Sequence, residues 1–111
     1  MCRALKVLCA APGADSLRAL KRAAVSVSWE LVGGATTVHE LVRQLDELSP
    51  DVLVVDAELP GIAVDAIRSA APRARVIAVG SLEGADGVAD TPQGIRDAIL
   101  GLPPVGGPVR R

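Results

Sequence analysis

The stretch Asp51-Val52-Leu53-Val54-Val55-Asp56-Ala57-Glu58-Leu59-Pro60-Gly61 decides the fold of this chain. Its branched aliphatic side chains follow one another without alternation, which is typical of a parallel strand buried on both faces. The run ends in a carboxylate, Asp56, and then in a Leu-Pro-Gly turn. Open parallel sheets bind ligands outside the carboxyl ends of their strands, so this stretch predicts a central strand that carries Asp56 to a crevice.

Extended and helical patterns alternate on both sides of this strand. Other strands are predicted at 5–10, at 25–32 (an alternating edge strand ended by Gly33-Gly34), at 75–80 and, briefly, at 88–89. The helix starts are Asp15 or Ser16, Thr36 or Thr37, the region of Ile62, and Thr91-Pro92; Ser49-Pro50 and Pro72 end the second and third helices. Helical spacing predicts these buried positions: Leu17, Leu20, Ala23, Ala24, Val38, Leu41, Val42, Leu45, Leu48, Ile62, Ala66, Ile67, Ala70, Ile95, Ala98, Ile99 and Leu102.

This alternation predicts an α/β fold, a flavodoxin-like doubly wound five-stranded parallel sheet of order 2-1-3-4-5. The stretch 81–87 is short and glycine-rich, so we expect the fourth helix to be shortened or missing. Residues 1–102 form one predicted domain, and 103–111 form a Pro/Gly-rich tail or linker. The first and third strands flank the point where strand order reverses, which places Ala11 and Asp56 at the same crevice.

Composition excludes several classes of protein. Half of the 111 residues are apolar and the net charge is −1, which argues against a disordered chain and against nucleic-acid binding by this domain itself. No apolar run is long enough to span a membrane and no signal-peptide pattern is present, so a cytoplasmic location is expected. Cys2 and Cys9 are the only cysteines and lack CxxC spacing, which argues against a disulfide framework or a zinc site.

The chain resembles the receiver domain of bacterial two-component response regulators over nearly its whole length up to about residue 102. The resemblance is carried by Asp51–Asp56 with Leu59-Pro60-Gly61, and by Gly84-Ala85-Asp86-Gly87 and Thr91-Pro92, where the family typically has Gly-Ala-Asp-Gly-Tyr and Lys-Pro. It implies that Asp56 stands at the position of the phosphoacceptor. In the family, an acidic pair after the first strand holds the Mg²⁺ that phosphoryl transfer requires.

The helper residues implied by this resemblance are replaced here. The acidic pair corresponds to Ala11 and Pro12, or to Ala10 and Ala11 with a slip of one residue. The other replaced positions are the switch hydroxyl (Gly80, with Ser81 as a substitute if the loop shifts), the strand-five aromatic (Val88) and the lysine (Thr91). The resemblance therefore implies a degenerate pseudo-receiver in which Asp56 is a vestigial phosphoacceptor, Mg²⁺ binding is lost or weak, and no cofactor is used.

These observations favour a non-catalytic regulatory module over an enzyme. It would act by self-association or partner binding without phosphorylation, with Arg18, Arg22, Arg96 and Asp97 near a homodimer surface of the first and last helices. The ending Val109-Arg110-Arg111 is compatible with a linker to a helix-turn-helix domain, as in the LuxR-type branch of the family, and hence with the N-terminal part of a transcription regulator. The alternatives are a small-molecule-sensing domain with a crevice at Ala11, Pro12 and Gly80, a receiver still weakly phosphorylated on Asp56, and, with least support, a small flavodoxin-like enzyme.

The remaining chemistry-bearing residues have simpler interpretations. We expect Asp15 to be a helix cap and His39 to be a surface side chain, while Cys9 packs in the core as a small hydrophobic residue. Asp90 lies near the crevice, where it would repel a phosphate. Gly33-Gly34 is not followed by Lys-Ser or Lys-Thr and is therefore not a phosphate-binding loop.

Overall fold

Strands and helices alternate along the part of the chain that the computed structural model describes, residues 5–26 and 29–101. No helix in this part combines the length and apolar character needed to cross a membrane. The strands are β1 (Leu5–Ala10), β2 (Trp29–Ala35), β3 (Val52–Asp56), β4 (Arg75–Val79) and β5 (Gly87–Ala89). The helices are α1 (Ala14–Ala24), α2 (Val38–Leu48), α3 (Val64–Ala70) and α4 (Ile95–Leu100), with a 3₁₀ turn at Pro92–Gly94 before α4.

The strands form one parallel sheet of order β2-β1-β3-β4-β5, which confirms the predicted topology. β3 lies at its centre, and Val52–Val55 are buried, as their uninterrupted aliphatic character predicted. Val55 pairs with Ala10 of β1, while Asp56 pairs with Val79 of β4. The carboxyl ends of β1, β3 and β4 therefore meet at one edge of the sheet, where Asp56 ends the central strand.

Successive strand residues point to opposite faces of the sheet, so the core divides into two clusters. The first core cluster contains Cys9, Val54 and Ile77, on which α1 and α4 pack with Leu20 and Ile95. The second core cluster lies on the other face, where α2 and α3 supply Leu41 and Ile67 among its members; its strand residues include Leu8, Leu53, Val55 and Val76. Both faces of β3 are thereby covered by helices.

Strand β2 continues through Gly33-Gly34 to Ala35, so the prediction that the glycines end the strand was wrong. The glycines allow two helices to approach this edge strand closely. A Cβ atom on Gly33 would lie 2.7 Å from Oε1 of Gln44, and one on Gly34 would lie 2.6 Å from Cε of Lys21. The Gln44 amide donates to the Gly34 carbonyl (2.8 Å) and accepts from the Gly34 N–H (3.1 Å). This pair of hydrogen bonds, the Gln44 clamp, occupies the main-chain groups of Gly34.

The helix boundaries were predicted with mixed success. Thr37 caps α2 by accepting from the Glu40 N–H, and Ser49 ends that helix, as expected. The cap of α1 is Gly13, without a side-chain hydrogen bond, so neither Asp15 nor Ser16 has the predicted role.

The buried faces of the last helices also differ in detail from the prediction. In α3, Val64 is buried while Ala66 is exposed, which reverses the predicted face at that position. In α4, Ile95 and Ile99 are buried as expected. Cys2, Leu102 and the predicted tail at 103–111 lie outside the described residues.

Between β4 and β5 the chain forms no helix, and residues 80–86 are all within the described part. The prediction of a shortened or missing helix between the fourth and fifth strands is therefore confirmed, and α4 is the helix that follows β5. Leu82 and Ala85 of this short connection pack against the second core cluster instead. β5 is only three residues long and lies at the edge of the sheet.

Candidate functional site

Asp56 lies half-buried at the carboxyl end of β3, the position that the sequence predicted. Its Oδ1 atom accepts a hydrogen bond from the Glu58 N–H at 2.9 Å, and its carbonyl accepts from the Leu59 N–H at 3.0 Å. An aspartate that accepts from the amide two residues ahead forms an Asx turn. The carboxylate therefore helps to shape the turn that leads into Leu59-Pro60-Gly61.

The positions of the implied acidic pair lie at the last residue of β1 and directly after it. Ala10 and Ala11 are fully buried, and the Ala11 N–H donates to the Ala35 carbonyl at 3.0 Å. Pro12 is exposed. None of these side chains carries an oxygen, and Mg²⁺ requires near-octahedral oxygen ligation. Within residues 5–26 and 29–101, no three His, Cys, Asp or Glu side chains are grouped so that they could hold a metal ion.

The switch positions adjoin Asp56 from the other side. Gly80 has a φ of +102°, and a Cβ atom there would lie 3.2 Å from the Ala57 Cβ. The Gly80 N–H donates to the Ala89 carbonyl at 3.0 Å, which joins the end of β4 to β5. Ser81 is exposed beside this turn. A side chain at position 80 would thus be both strained and crowded, so glycine suits the turn.

The end of β5 contributes no positive charge to this edge. Thr91 is exposed, and Asp90 before it adds an exposed carboxylate to the half-buried one of Asp56. Val88 of β5 is 54% exposed. A phosphoryl group on Asp56 would need cations to offset its charge. The residues that follow β1, β3, β4 and β5 here are small, apolar or acidic.

The sequence analysis treated Asp86 only as part of a weak motif and missed its structural role. Its Oδ2 atom accepts from the Val76 N–H at 2.8 Å, and its Oδ1 atom accepts from Nη2 of Arg68 at 3.2 Å. The same Arg68 nitrogen donates to the Gly84 carbonyl at 3.0 Å. We call this group of contacts the Asp86 latch. It ties the β4–β5 connection to both α3 and β4.

A separate cavity of about 560 Å³ lies at the opposite, amino-terminal edge of the sheet. Lys6, Asp46, Asp51 and Arg73 are among the residues that line it. Asp51 already accepts from the Lys6 N–H at 2.8 Å, which ties the starts of β1 and β3 together. This cavity shares no lining residue with the Asp56 turn, so the candidate site remains the carboxyl edge.

No protein-family model matches the chain, and no curated protein matches it. Solved structures do match it. The signal receiver domain of the response regulator NarL from Mycobacterium tuberculosis is 22% identical, with a TM-score of 0.69 over 89% of this chain and 95% of that one. The response regulator domain of Thermotoga maritima CheB is 27% identical, with a TM-score of 0.60 over 86% and 74% of the two chains.

A third match is a DNA complex. RcsB from Salmonella enterica serovar Typhimurium, bound to the promoter rprA with the phosphomimetic BeF₃⁻, is 20% identical with a TM-score of 0.59. The match covers 68% of this chain and 42% of RcsB. The five-stranded order β2-β1-β3-β4-β5 and the helices around it agree with these neighbours. The chain is therefore similar in fold to the receiver domains of response regulators.

Proposed function

We propose that this chain is a non-catalytic signalling module, a receiver-fold domain that acts by binding a partner protein or a second copy without phosphorylation of Asp56. One observation carries this proposal. The Asp56 carboxylate shapes its own turn, while Ala10, Ala11 and Pro12 offer no oxygen ligand beside it. The strand and its carboxylate are kept, but the groups that would make the carboxylate reactive are replaced.

The chemistry of phosphoryl transfer explains why these replacements matter. A carboxylate and a phosphoryl donor are both anionic, so their approach requires a metal ion or fixed cations. Asp56 alone, even with a main-chain carbonyl, would give Mg²⁺ few of the oxygens that it requires. Asp90 would add repulsion at the same edge. We therefore expect Mg²⁺ to bind weakly or not at all, and the domain to use no other cofactor.

The proposed signalling function includes a role in the regulation of transcription. RcsB, whose match to this chain covers 42% of its length, is a response regulator bound to a promoter. By analogy, we propose that this domain is the N-terminal regulatory part of a transcription regulator and that another domain would contact DNA. The net charge of −1 supports this division, because a DNA-binding face requires a basic surface.

The partner of this domain in the proposal can be a second copy of the same chain. α1 and α4 pack side by side on the first core cluster. Arg22 and Arg96 line a hollow of about 340 Å³ between them, and Leu100 is 70% exposed at the end of α4. We propose this α1–α4 surface, with Arg18 and Asp97, as the homodimer interface.

Phosphorylation of the purified chain tests the central claim. Incubation with acetyl phosphate and Mg²⁺, followed by intact-mass spectrometry, should give no phosphoryl adduct, because no bound metal brings the donor to Asp56. The receiver domain of RcsB serves as the positive control in the same buffer. A phosphoryl adduct on this chain that disappears in Asp56→Asn would refute the proposal, since it would show a working phosphoacceptor.

A further inference from the structure

The face of the sheet that carries the second core cluster is fully buried at β4 but incompletely covered at β5. Val76 belongs to that cluster, and Ala78, two residues along β4, points to the same face. Ala78 pairs with Val88, so Val88 also points to this face, where it is 54% exposed. A doubly wound sheet normally has helices over both faces. Here the connection at residues 80–86 is too short to form one.

Two hollows flank the tip of this connection. One, of about 620 Å³, is lined by Gly80, Ser81, Leu82, Glu83, Val88 and Asp90. The other, of about 440 Å³, is lined by Ile62, Ala63, Val64, Asp65, Leu82, Glu83 and Gly84. Leu82 and Glu83 line both hollows, so the two hollows adjoin at this segment, and we call them together the β5 trough. Its apolar floor includes Val88 and Leu82.

The charged side chains that line the β5 trough are all acidic. Its lining contains the carboxylates of Asp65, Glu83 and Asp90, and neither lining contains Lys, Arg or His. The whole chain is nearly neutral, with a net charge of −1, so this acidity is local. Arg68 is the basic residue of the Asp86 latch. Its Nη2 atom already pairs with Oδ1 of Asp86 at 3.2 Å.

The Asp86 latch fixes the position of the connection beside the trough. Because Asp86 holds the Val76 N–H and the Arg68 guanidinium together, the connection is fixed between α3 and β4. With the connection in this position, Val88 is 54% exposed and lies in the apolar floor together with Leu82. The floor is apolar and the rim acidic, which is the pattern that binds an amphipathic helix through its apolar face and its basic flanks.

We propose that the β5 trough binds one basic amphipathic helix of a partner protein, which would lie over Val88 of β5, where no helix in the described part of this chain covers the sheet. This inference rests on the proposed partner-binding function and specifies the chemistry of the partner. Apolar side chains spaced at i and i+4 would contact Val88 and Leu82. Lysine or arginine side chains along the flanks would pair with Asp65, Glu83 and Asp90. The Asp56 turn takes no part in this contact.

A designed peptide tests the inference with the full chain. The probe is a fluorescein-labelled helix of about five turns, ~18 residues, with leucines on one face and lysines on the other. Fluorescence anisotropy should show saturable binding, and salt should weaken it because exposed charges are screened. Val88→Asp should weaken binding about tenfold or more, because it places a charge in the apolar centre of the contact. Val25→Asp is the matched control, since Val25 is also 54% exposed but belongs to the end of α1.

Peptide and protein controls separate this contact from general charge attraction. A scrambled peptide of the same composition, without an apolar face, should bind about tenfold more weakly or worse. Glu83→Lys should weaken the designed peptide more than Glu47→Lys on α2. The inference is overturned if the designed and scrambled peptides bind equally, if no binding occurs, or if Val88→Asp and Val25→Asp behave alike. None of these results requires phosphorylation of Asp56, so they are distinguishable from a failure of the proposed function.

Discussion

Asp56 and Asp86 show how the surroundings of a carboxylate determine its role. Asp56 accepts a hydrogen bond from an amide two residues ahead, so its known side-chain contact is local. Asp86 joins Val76 and Arg68, which are 10 and 18 residues away in sequence. A bond between distant segments holds tertiary structure, whereas a local turn can form within its own loop. The side chain of Asp56, at the position of the implied phosphoacceptor, therefore bonds within its own turn, whereas that of Asp86, in a glycine-rich loop, bonds to two distant segments.

Cys9 is the residue for which burial has a direct electrostatic consequence. Its side chain is fully buried in the first core cluster, together with Val7 and Val54. Burial raises the pKa of the Cys9 thiol from its ordinary value of 9.0 to about 12, because a thiolate would lose its hydration, and the nearby Lys21 ammonium opposes this only in part. The folded protein therefore holds the neutral thiol under conditions in which the unfolded chain ionises.

This shift predicts a loss of stability at alkaline pH. Below pH 9 the thiol is protonated in both states, so its contribution to the free energy of unfolding is fully present. As the pH rises from 9 toward 12, only the unfolded chain ionises, and this group lowers the free energy of unfolding by about 1.4 kcal/mol per pH unit. Urea unfolding followed by Trp29 fluorescence at several pH values measures the slope. Cys9→Ala should show a shallower slope, and an equal slope in both proteins would contradict the prediction.

Edge strands are the elements in which this sheet must limit pairing with other chains. An edge strand exposes unpaired main-chain groups to which a further strand can bind. At the β2 edge, the Gln44 clamp occupies both the N–H and the carbonyl of Gly34. Gly33 makes the clamp possible, because a Cβ atom there would lie 2.7 Å from the Gln44 Oε1 atom. The double glycine is thus part of the element and does not end it.

Removal of the clamp should weaken and expose this edge. Gln44→Ala should lower the free energy of unfolding by about 1–2 kcal/mol, because two hydrogen bonds to Gly34 are lost. It should also increase association on heating, because the edge strand becomes available. Urea unfolding and light scattering measure the two effects. Arg43→Ala on the exposed side of α2 is the matched control; equal stability of the two variants would show that the clamp contributes nothing.

The elements that were predictable from sequence are those whose signal is local. The aliphatic run Val52–Val55 predicted the central strand, and Thr37 predicted the start of α2, because each pattern acts within a few residues. The end of β2 was mispredicted because Gly33-Gly34 accommodates side chains from two helices, which is a tertiary effect. The Asp86 latch was missed for the same reason, since its partners are distant in sequence.

The positions of the candidate-site residues were predictable, because strand topology alone determines where they lie. The order of the strands brings Ala11, Asp56 and Gly80 to one edge, and that order follows from the alternation of strands and helices. What the side chains do there required coordinates. Local sequence reasoning left open whether Asp56 orders its own turn, and the 2.9 Å hydrogen bond from the Glu58 N–H shows that it does.

At the scale of the whole molecule, the two faces of the sheet differ in completeness. On the face with the first core cluster, α1 and α4 cover the sheet, and their outer surface carries charges of both signs. On the second, the β5 trough interrupts the helical layer at Val88. The two proposed contacts, a homotypic one at α1–α4 and a heterotypic one at the trough, would therefore use different surfaces of the domain. A module that signals by binding alone would gain from such a separation, since one contact need not displace the other.

The homodimer is the last prediction that follows from this arrangement. A two-fold interface places each surface residue against its partner's complement, so Arg96 of one protomer can meet an acidic residue such as Asp97 or Asp15 of the other. Leu100, 70% exposed, would supply apolar area to the contact.

Sedimentation velocity at high micromolar concentration should show a dimer that weakens with salt, because exposed ion pairs are screened. Leu100→Asp should shift the chain toward monomer by about tenfold in the dissociation constant, whereas Val88→Asp should leave it unchanged. A monomer for the unmodified chain at these concentrations would exclude the α1–α4 interface while leaving peptide binding at the trough to be judged by its own experiment.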